Sequence, residues 1–542
     1  MQHMFVELLV SACVHRHIHI HSHTHTNTHT HAKTQPRTVT YTHTRAKTPT
    51  HSVTMLSSLL LLWLGVLLLF LLFRVRRPKN FPPGPTALPL LGNLLELSPH
   101  NPLQSFDRLA ERYGPVYSLY FGPRPAVVLA SQQVIKEALV TRATEFAGRP
   151  DHMLVCHVTQ CKGVVLADYG PKWQEHRRFA LTTLRNFGMG KRTMEEKILE
   201  ETRHICAELE KHAGRSMDPE HLFHYAASDI ICSVIFGSRF EYDDPYFKDL
   251  IVMIQGLTKL VFDPWAIIYE IVPLIRSLPL PFKRAFHLHD HVKGRILKVV
   301  AEHKDSRVSG QPRDLIDCYL DEMEKRADKG TSFEDSQLVA VCFDLLIAGT
   351  DTTSNTLRTA TLYLITHPHI QERCYQEIDE VLGSREQVLF EDRQAMPYVQ
   401  AVIHEAQRVA DTVPLSMIHT TTADTHTQGY SIPKGTMIIP YLSSALREEG
   451  QWKSPHDFNP ENFLNERGEF VKPDAFMPFS TGSRMCLGEG LARMELFLIL
   501  VTLLRRFRLV WPEERGVPDY SMVFGGTQAA KPFQVTVHLR GA

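Results

Sequence analysis

The sequence lacks an excess of charge of either sign. Lysine plus arginine and aspartate plus glutamate are balanced at 59 each in 542 residues. A chain without a basic surplus has no general attraction to polyanions, so nucleic acid is excluded as an expected partner. Past Pro89 the chain also lacks a long Gly/Ser-rich or Pro-rich linker. We therefore expect one large domain with a large buried core.

Cysteine is scarce and unpatterned. The nine cysteines are odd in number, scattered along the chain and include no C-x-x-C pair. Disulfide-rich secreted domains and zinc cages both need regularly spaced cysteines. The pattern argues against a disulfide framework or a zinc cage and favours a reducing compartment.

The first 54 residues lack the apolar content of a core. They hold eleven of the 30 histidines, many of them alternating with threonine or isoleucine. A dense histidine tract can capture divalent metal ions. A CA-dinucleotide repeat read in frame encodes the same pattern, and we expect this explanation: a disordered leader or an over-extended gene model, with Met55 as the true start.

A long uncharged run follows the leader. Leu56 to Phe73 holds eighteen residues without a charge, and a basic cluster comes directly after it. At a rise of 1.5 Å per residue such a helix spans roughly 27 Å, enough to cross a thin bilayer. Positive charge stays on the cytosolic side, so we expect the rest of the chain in the cytosol. A cleaved signal peptide is the alternative, although no A-x-A site follows.

These patterns divide the chain into four segments. We predict a leader over residues 1–54, a transmembrane signal anchor over 55–77, a Pro-rich hinge over 78–93 and a folded domain over 94–542. The prolines of the hinge fix φ and remove backbone donors, so this segment is expected to be a stiff spacer.

The folded domain mixes strand and helix patterns. Pro115 to Ala130 is rich in β-forming residues around a Gly-Pro turn and predicts a hairpin. Helical periodicity dominates from about Lys191 to Gln407, and short strands return in Thr427 to Leu442 and near the C-terminus. The expected fold class is mainly α with small β-sheets (α+β).

Two segments are candidates for access elements. Leu257 to Phe282 is apolar and interrupted by prolines, which is typical either of core or of a surface that dips into a membrane. Gly148 to Gly170 is predicted to be a long irregular loop between helical patterns. Loops of this kind tend to cover binding sites.

One predicted helix is apolar around most of its circumference, as a central core helix is. It runs from about Phe333 to Thr366 and contains AGTDTT, Ala348 to Thr353, at its middle. Glycine weakens a helix interior, threonine hydroxyls bond back to carbonyls, and a buried Asp351 is costly unless paired or protonated. Such rule-breaking indicates function; a packing notch with a satisfied aspartate is the alternative.

Two further pairs share a helix face. Glu405 and Arg408 are three residues apart, and Trp173 and Arg177 are four apart. On spacing alone the first pair is an ordinary surface ion pair, and the second is a tryptophan packed under an arginine stem.

One cysteine has an unusual setting. Cys486 lies in the loop PFSTGSRMCLGEG, two residues after Arg484 and before an apolar helix that begins near Leu487. The positive end of that helix stabilises a thiolate, and Gly482 and Gly488 let a flat group approach the backbone. A nucleophile needs a nearby base and a zinc site needs three more ligands, and the loop supplies neither. A haem iron needs one axial thiolate, with arginines for its propionates.

This loop resembles the haem-binding loop F-x-x-G-x-R-x-C-x-G of the cytochrome P450 family, at Phe479, Gly482, Arg484, Cys486 and Gly488. AGTDTT resembles the oxygen-activating stretch of the family's central helix. The two helix-face pairs match the family's E-x-x-R and W-x-x-x-R motifs.

The resemblance extends over about Met55 to Ala542 and includes the PPGP hinge. The stretches RNFGMGKRTMEE, GYSIPKGT and FNPENFL are similar to those of vertebrate microsomal family 2. The resemblance therefore implies the cytochrome P450 fold, preceded by one N-terminal transmembrane helix.

The resemblance also implies roles for individual residues. Cys486 is expected to be the proximal iron ligand of a haem b, and Asp351 with Thr352 to deliver protons. Glu405 and Arg408 are expected to brace the haem-side core, although Asn462 stands where many members carry Arg or His. The residues expected at the haem propionates are Arg149, Trp173, Arg177, His419 and Arg484.

By family position the substrate pocket draws on four parts of the chain: the Gly148 to Gly170 loop, the central helix, Val413 to Met417 and the turn near Gly525. Their apolar character implies a lipophilic substrate. The individual pocket residues expected are Phe343, Asp344, Ala348, Val413 and Met417.

The expected function is a monooxygenase of the endoplasmic reticulum membrane that inserts one atom of dioxygen into a xenobiotic, fatty acid or steroid. Electrons come from NADPH through a reductase, with cytochrome b5 as a second donor, and the docking residues expected are Lys172, Arg178 and Arg493. A redox-independent isomerase of the same fold is one alternative, but such relatives usually lack the acid–threonine pair. A membrane-tethered haem or metal binder is the other, and it leaves that pair unexplained.

Overall fold

The computed structural model describes residues 58–67, 77–98, 101–187, 192–261, 263–327 and 332–540. The predicted leader lies outside the described residues, as does part of the predicted anchor. Sixteen α-helices and eleven strands are described below, with numbering in chain order.

The helices are named here with their bounds. They are α1 Ser58–Leu67, α2 Pro102–Tyr113, α3 Gln132–Lys136, α4 Leu154–Thr159, α5 Pro171–Phe187, α6 Arg192–Lys211, α7 Glu220–Ile235, α8 Pro245–Leu260, α9 Pro264–Ile271, α10 Lys283–Ser306, α11 Leu315–Lys325, α12 Asp335–Thr366, α13 Pro368–Leu382, α14 Pro397–Ala410, α15 Leu442–Leu446 and α16 Glu489–Arg506.

The strands are short and lie at the margins of the helical body. They are β1 Val116–Phe121, β2 Arg124–Leu129, β3 Ser216–Met217, β4 His419–Thr420, β5 Thr425–Thr427, β6 Tyr430–Ile432, β7 Met437–Pro440, β8 Phe507–Val510, β9 Met522–Phe524, β10 Gln528–Ala530 and β11 Val535–Leu539.

The strands form four small sheets. The largest has the order β1-β2-β7-β4, in which β1 and β2 form the predicted antiparallel hairpin and β2 pairs with β7 in parallel. A second sheet has the order β3-β11-β8, and β5–β6 and β9–β10 are separate two-stranded ribbons. The mainly helical fold class with small sheets is confirmed.

Helix α12 lies at the centre of the body, as its sequence predicts. Most of its residues are buried, and it packs most extensively against α7. At Gly349 a side chain is excluded, because a Cβ there would lie 2.9 Å from Ile231 Cγ1 of α7. The glycine of AGTDTT therefore serves close helix packing, as the alternative interpretation expected. That interpretation also expected a satisfied aspartate, whereas Asp351 Oδ1 has no hydrogen-bond partner among the described residues.

The apolar segment from Leu257 to Phe282 is divided by caps. The side chain of Asp263 accepts a hydrogen bond from the Trp265 backbone N–H, and Pro264 occupies the first turn of α9, so a new helix begins there. Ala266 and Tyr269 are buried, whereas Leu274 is 89% exposed. The segment is thus part core and part apolar surface.

The region from Gly148 to Gly170 differs from the prediction in two respects. It contains the short helix α4, and it carries a disulfide between Cys156 and Cys161. The cysteine pattern argued against a disulfide framework and gave no indication of this single pair. The reason is that the end of α4 turns back and brings two nearby cysteines together, which spacing alone does not reveal.

Within the described ranges, no single helix is both long and apolar enough to cross a bilayer. Helix α1 is apolar but short, and α8 and α9, bent by 55° at their junction, reach such a length only as a pair.

Candidate active site

Cys486 is presented at the N-terminus of α16. Its backbone N–H donates to the Phe479 carbonyl oxygen at 3.0 Å, which closes the loop. Gly482 has φ 79°, and a Cβ at that position would collide with the Leu139 carbonyl oxygen, so only glycine fits. Of the free cysteines in the described chain, Cys486 is the only exposed one. The loop therefore presents one accessible thiol.

Electrostatics around the sulfur are mixed. Surrounding protein atoms desolvate the thiol and raise its pKa, while the backbone N–H groups of Gly488 and Glu489 and the charge of Arg177 oppose that rise. A cationic ligand at the sulfur would tip this balance to the thiolate, because metal coordination deprotonates a thiol outright. This position is thus suited to a metal ligand rather than a free nucleophile.

Two arginines lie over the Trp173 ring beside this loop, and a third lies near them. Arg484 lies 4.1 Å and Arg177 5.4 Å from the Trp173 ring centre, measured from each guanidinium carbon. The indole Nε1 donates to the Val164 carbonyl oxygen at 2.9 Å, which fixes the ring. Arg149 donates to the carbonyl oxygens of Val165, Met417 and Ile418. We call Arg149, Arg177 and Arg484 the cationic cluster.

The cationic cluster is short of negative charge. Burial, followed by the charges of Arg484 and Arg177, lowers the pKa of Arg149 well below its usual range. Burial also lowers the pKa of Arg484 to about 9, against the opposing charge of Asp168. Asp168 accepts from the Arg149 backbone N–H, and the charges of Asp168 and Asp344 only partly oppose the lowering of the Arg149 pKa. Two buried cations with a half-buried third beside them need further anions.

An unsatisfied atom supports the same conclusion. Arg484 donates to the carbonyl oxygens of Ala147 and Ala167, both at 2.8 Å, yet its Nη1 is buried with no hydrogen-bond partner among the described residues. The two propionates of a haem supply anionic acceptors of this kind. The thiol of Cys486 is exposed, and Gly482 lets the loop pack closely against Leu139. Together with the unsatisfied Arg484, these residues fit a haem.

His419 lies beside the cationic cluster, as predicted. Its Nδ1–H donates to the Phe146 carbonyl oxygen at 2.7 Å, which fixes the tautomer. Burial, followed by the charge of Arg149, lowers the pKa of His419 well below its usual range. The ring is therefore a neutral polar group, not a fourth cation.

The AGTDTT stretch interrupts the burial of α12. Ala348 is exposed and Thr352 is half-buried, whereas the helix on either side is buried. The Thr352 hydroxyl donates to the Ala348 carbonyl oxygen at 2.7 Å, the back-bonding that the sequence predicts. Asp351 is buried, and His224 of α7 places its Nε2 3.5 Å from Asp351 Oδ1.

Two of the predicted pocket segments contact α12 at neighbouring residues. The Asn355 amide contacts Thr527 Oγ1 of the β9–β10 turn at 3.3 Å, and Thr356 contacts Thr412 Oγ1 at 3.2 Å. Gly526 lies so close to α8 that a Cβ would be 2.6 Å from the Thr258 carbonyl oxygen. Val413 and Met417 are half-buried and follow directly in the 412–417 segment.

Two predicted pocket residues, Asp344 and Phe343, make specific contacts inside the protein. The Asp344 carboxylate accepts hydrogen bonds from the backbone N–H groups of Val164 and Val165, at 2.6 and 2.8 Å. Burial raises the pKa of Asp344 to about 7. Phe343 is buried with its ring 4.7 Å from the His289 ring of α10. Asp344 therefore clamps the loop to α12, and Phe343 packs under α10.

Glu405 and Arg408 form a buried pair, so the surface interpretation drawn from spacing is wrong. Both side chains are at most 1% exposed and meet through two hydrogen bonds of 2.7 Å. Asn462 donates to Glu405 Oε1 at 3.1 Å and accepts from the Ser454 N–H at 3.0 Å. The amide thus takes the third position of the bracing group as an uncharged side chain.

The three predicted docking cations differ in availability. Lys172 and Arg178 are exposed on α5. Arg493 is half-buried, pairs with Glu489 at 2.7 Å and contacts His404 Nε2 at 2.7 Å. Its charge is therefore used inside the protein, and it is poorly placed for docking.

Two residues of the site are missing from the sequence prediction. His224 is one, because nothing in the local pattern of α7 indicates that it faces Asp351. Glu495 of α16 is the other: it is buried, its carboxyl bonds to the Thr353 hydroxyl, and burial raises the pKa of Glu495 to about 8. An acid inside the apolar run of α16 was the available signal for Glu495.

A mainly helical body with one reachable thiol at a helix N-terminus beside a cationic cluster defines a haem-thiolate protein. The family model for cytochrome P450 matches residues 82–537, and the chain belongs to that family. It is a haem-dependent cytochrome P450 monooxygenase, similar to vertebrate family 2 members.

The alignments with individual relatives cover most of this chain and most of each relative. The chain is similar to cytochrome P450 2F2 of Mus musculus, with 42% identity over 466 residues, 85% of this chain and 94% of that protein. Cytochrome P450 2C3 of Oryctolagus cuniculus is 45% identical over 445 residues, 82% of this chain and 91% of its own. Cytochrome P450 2D14 of Bos taurus is 43% identical over 480 residues, which are 86% of this chain and 96% of that protein.

Proposed function

We propose that this monooxygenase inserts oxygen into a lipophilic small molecule, a xenobiotic, a fatty acid or a steroid, by hydroxylation or epoxidation. It acts at the endoplasmic reticulum membrane with its folded domain on the cytosolic face. The observation that carries the proposal is the reachable thiol of Cys486 beside the cationic cluster. A haem bound there supplies an iron that activates dioxygen.

Binding of the haem is assigned to residues from three parts of the chain. Cys486 is the proposed axial ligand, and Arg484 with its unsatisfied Nη1 is the first proposed propionate partner. Arg149, Arg177 and His419 complete the polar wall around it, and the fixed Trp173 ring supports the guanidinium groups. Because these donors are anchored by backbone carbonyls, they are oriented before the cofactor arrives.

Proton delivery is assigned to Asp351 and Thr352. The Thr352 hydroxyl lies on the accessible stretch of α12, next to exposed Ala348. Asp351 Oδ1 receives no hydrogen bond from the described residues and is buried, so it can hold or release a proton towards that stretch. His224 Nε2 lies 3.5 Å from this oxygen and is the proposed positioning partner of the carboxylate.

A lipophilic substrate follows from the side chains around this stretch. Ala348, Val413 and Met417 offer apolar surface, and the β9–β10 turn approaches from the side of α8. Apolar walls with few polar groups bind lipophilic molecules by removing their surface from water. Thr352 lies one helical turn after exposed Ala348, and its hydroxyl donates to the Ala348 carbonyl oxygen. The predicted catalytic hydroxyl therefore adjoins this apolar surface.

Electron delivery is assigned to the face that carries α5. Exposed Lys172 and Arg178 present positive charge there, which attracts an acidic partner such as the NADPH-dependent reductase or cytochrome b5. A groove of about 350 Å³ between Tyr169, Arg178, Arg185 and Ser483 lies on the same face and reaches towards the Cys486 loop.

Turnover with the purified reductase and NADPH over a panel of fatty acids, steroids and drugs tests this proposal. Oxygenated product that depends on NADPH, reductase and dioxygen is expected. Product from a lipid peroxide without NADPH or reductase would instead identify the isomerase alternative. Oxidation restricted to small hydrophilic compounds would contradict the assigned substrate class.

A further inference from the structure

The structure joins Cys156 and Cys161 through a disulfide at the end of α4. We propose that this pair is a thiol–disulfide modification site. Its redox state sets the conformation of the loop from Gly148 to Gly170, which we call the cover over the substrate region. The inference goes beyond the oxygenase reaction, because the pair lies apart from the Cys486 loop. It rests on the proposed function only in assigning α4 to the cover.

The two sulfurs differ in access. Cys156 is 1% exposed, whereas Cys161 is half-buried just past the end of α4. Their Cα atoms are 4.5 Å apart, within the range that a disulfide spans. A reagent in solution therefore meets Cys161 first, and Cys156 is held within reach as the resolving thiol.

The backbone at the pair is one that non-glycine residues rarely adopt. Gln160 has φ 57° and Cys161 has φ 51°, two successive residues in the left-handed region. The disulfide ties Cys161 to α4, together with the hydrogen bond from the Cys161 backbone N–H to the Cys156 carbonyl oxygen at 2.7 Å. Its reduction removes this restraint, so we expect the end of α4 to relax towards ordinary dihedral angles.

Helix α4 transmits that change because it is packed between access elements. Leu154 and Val158 belong to one apolar cluster with Tyr269 of α9 and with Phe282, which precedes α10. The His157 ring contacts the Tyr269 hydroxyl at 2.8 Å. Helix α4 thus connects the loop that contains it to α9 and to the segment before α10.

The chain beyond the pair is fixed, which confines the change to α4 and its end. The carboxylate of Asp344 on α12 accepts from the Val164 and Val165 N–H groups. Lys162 pairs with Glu334 at 3.0 Å. The redox state of the pair therefore acts on the cover without disturbing the haem-side residues that follow it.

The chemistry balances with a low-molecular-weight disulfide such as oxidised glutathione as the oxidant. The Cys161 thiolate attacks the glutathione disulfide, forms a mixed disulfide and releases one glutathione thiolate. The Cys156 thiolate then attacks Cys161 sulfur and releases the second. Two protein thiols lose two electrons and two protons in total, and one glutathione disulfide becomes two glutathione thiols.

The holoenzyme equilibrated with reduced or oxidised glutathione provides the test. Both cysteines lie in the tryptic peptide of residues 143–162, since the bond after Arg149 precedes proline. Alkylation and mass spectrometry should show two labels on this peptide after reduction and none after oxidation. Spectral titration with phenylimidazole should give dissociation constants that differ by roughly fivefold or more between the two states.

Matched variants separate the pair from other thiols. Cys161→Ser and, independently, Cys156→Ala should abolish the difference in ligand affinity, while Cys318→Ser, at another half-buried cysteine, should retain it. Two labels in both states, or an affinity difference that persists in both pair variants, would overturn the proposal. The peptide readout does not involve catalysis, so an inactive enzyme would leave this result interpretable.

Discussion

His224 Nε2 lies 3.5 Å from Asp351 Oδ1, and both side chains are buried between α7 and α12. The Nδ1–H of the same ring donates to the Glu220 carbonyl oxygen at 2.9 Å. The ring is therefore held by its own helix while its other nitrogen faces the acid of the AGTDTT stretch. A buried carboxylate with one oriented partner is positioned for proton transfer without being locked by several donors.

Replacing His224 should impair oxygenation through Asp351. In His224→Ala we expect the share of NADPH electrons that reach product to fall, with a larger share released as hydrogen peroxide, because Asp351 loses its orienting partner. The pH profile of product formation should shift as well. His221→Ala, at an exposed histidine of the same helix, is the control and should behave as the parent enzyme. An unchanged pH profile and coupling in His224→Ala would remove His224 from the proton path.

Loss of the Thr352 hydroxyl should divert electrons to peroxide. In Thr352→Ala product formation should fall by on the order of a hundredfold or more, the contribution of one positioned proton donor, while NADPH oxidation continues. Thr366→Ala is matched, since Thr366 also bonds back along α12, to the Leu362 carbonyl oxygen at 2.8 Å, but at the helix end. Parallel assays of product and peroxide decide the matter; equal coupling in the two variants would refute the assigned role.

The sequence predicts much of this architecture because apolar periodicity and turn residues act locally. The hairpin β1–β2, the central helix α12 and the joint position of Trp173 and Arg177 all follow from such patterns. The bracing role of Glu405 and Arg408 could not come from spacing, because an i,i+3 pair is the same on a surface and in a core. Only the resemblance indicated it, and burial then supports it.

What the sequence could not predict depends on contacts between distant segments. The disulfide needs the turn at the end of α4, the clamp by Asp344 needs the loop to reach α12, and the His224–Asp351 contact needs two helices in register. Arg493 was expected to be a docking residue, because the sequence of α16 gives no sign of its contacts with Glu489 and His404.

Glu495 should make stability depend on pH in a defined direction. Burial raises its pKa from 4.5 to about 8 in the folded protein. Between these values the folded chain keeps a proton that the unfolded chain has lost, so this contribution is complete below about pH 4.5 and declines as pH rises towards 8. The change is at most about 1.4 kcal/mol per pH unit.

Glu495→Gln removes this titration and provides the check. Unfolding by urea, followed by circular dichroism, should give equal stability for parent and variant near pH 5 and a more stable variant near pH 8. Glu466→Gln, at an exposed glutamate, should show no such divergence. Parallel pH curves for the parent and Glu495→Gln would contradict the burial of a neutral acid.

A side chain at Gly482 should prevent assembly of the thiol loop. In Gly482→Ala the Cβ would collide with the Leu139 carbonyl oxygen, and φ is 79°. Gly468→Ala is matched for backbone strain, because Gly468 has φ 75° but open space around its Cα. We expect Gly482→Ala to lose most of its haem, measured as pyridine haemochrome per protein, and Gly468→Ala to keep it. Equal haem content would show that the close approach to Leu139 is not required.

The central claim is that Cys486 is the axial ligand of a haem. Its most direct test is the spectrum of the reduced, carbon-monoxide-bound protein compared with that of Cys486→Ser. Cys318→Ser serves as the control for removing a different free cysteine. The account predicts the red-shifted Soret band of thiolate ligation in the parent and in Cys318→Ser, and its loss in Cys486→Ser. The same red-shifted band in Cys486→Ser would contradict the account.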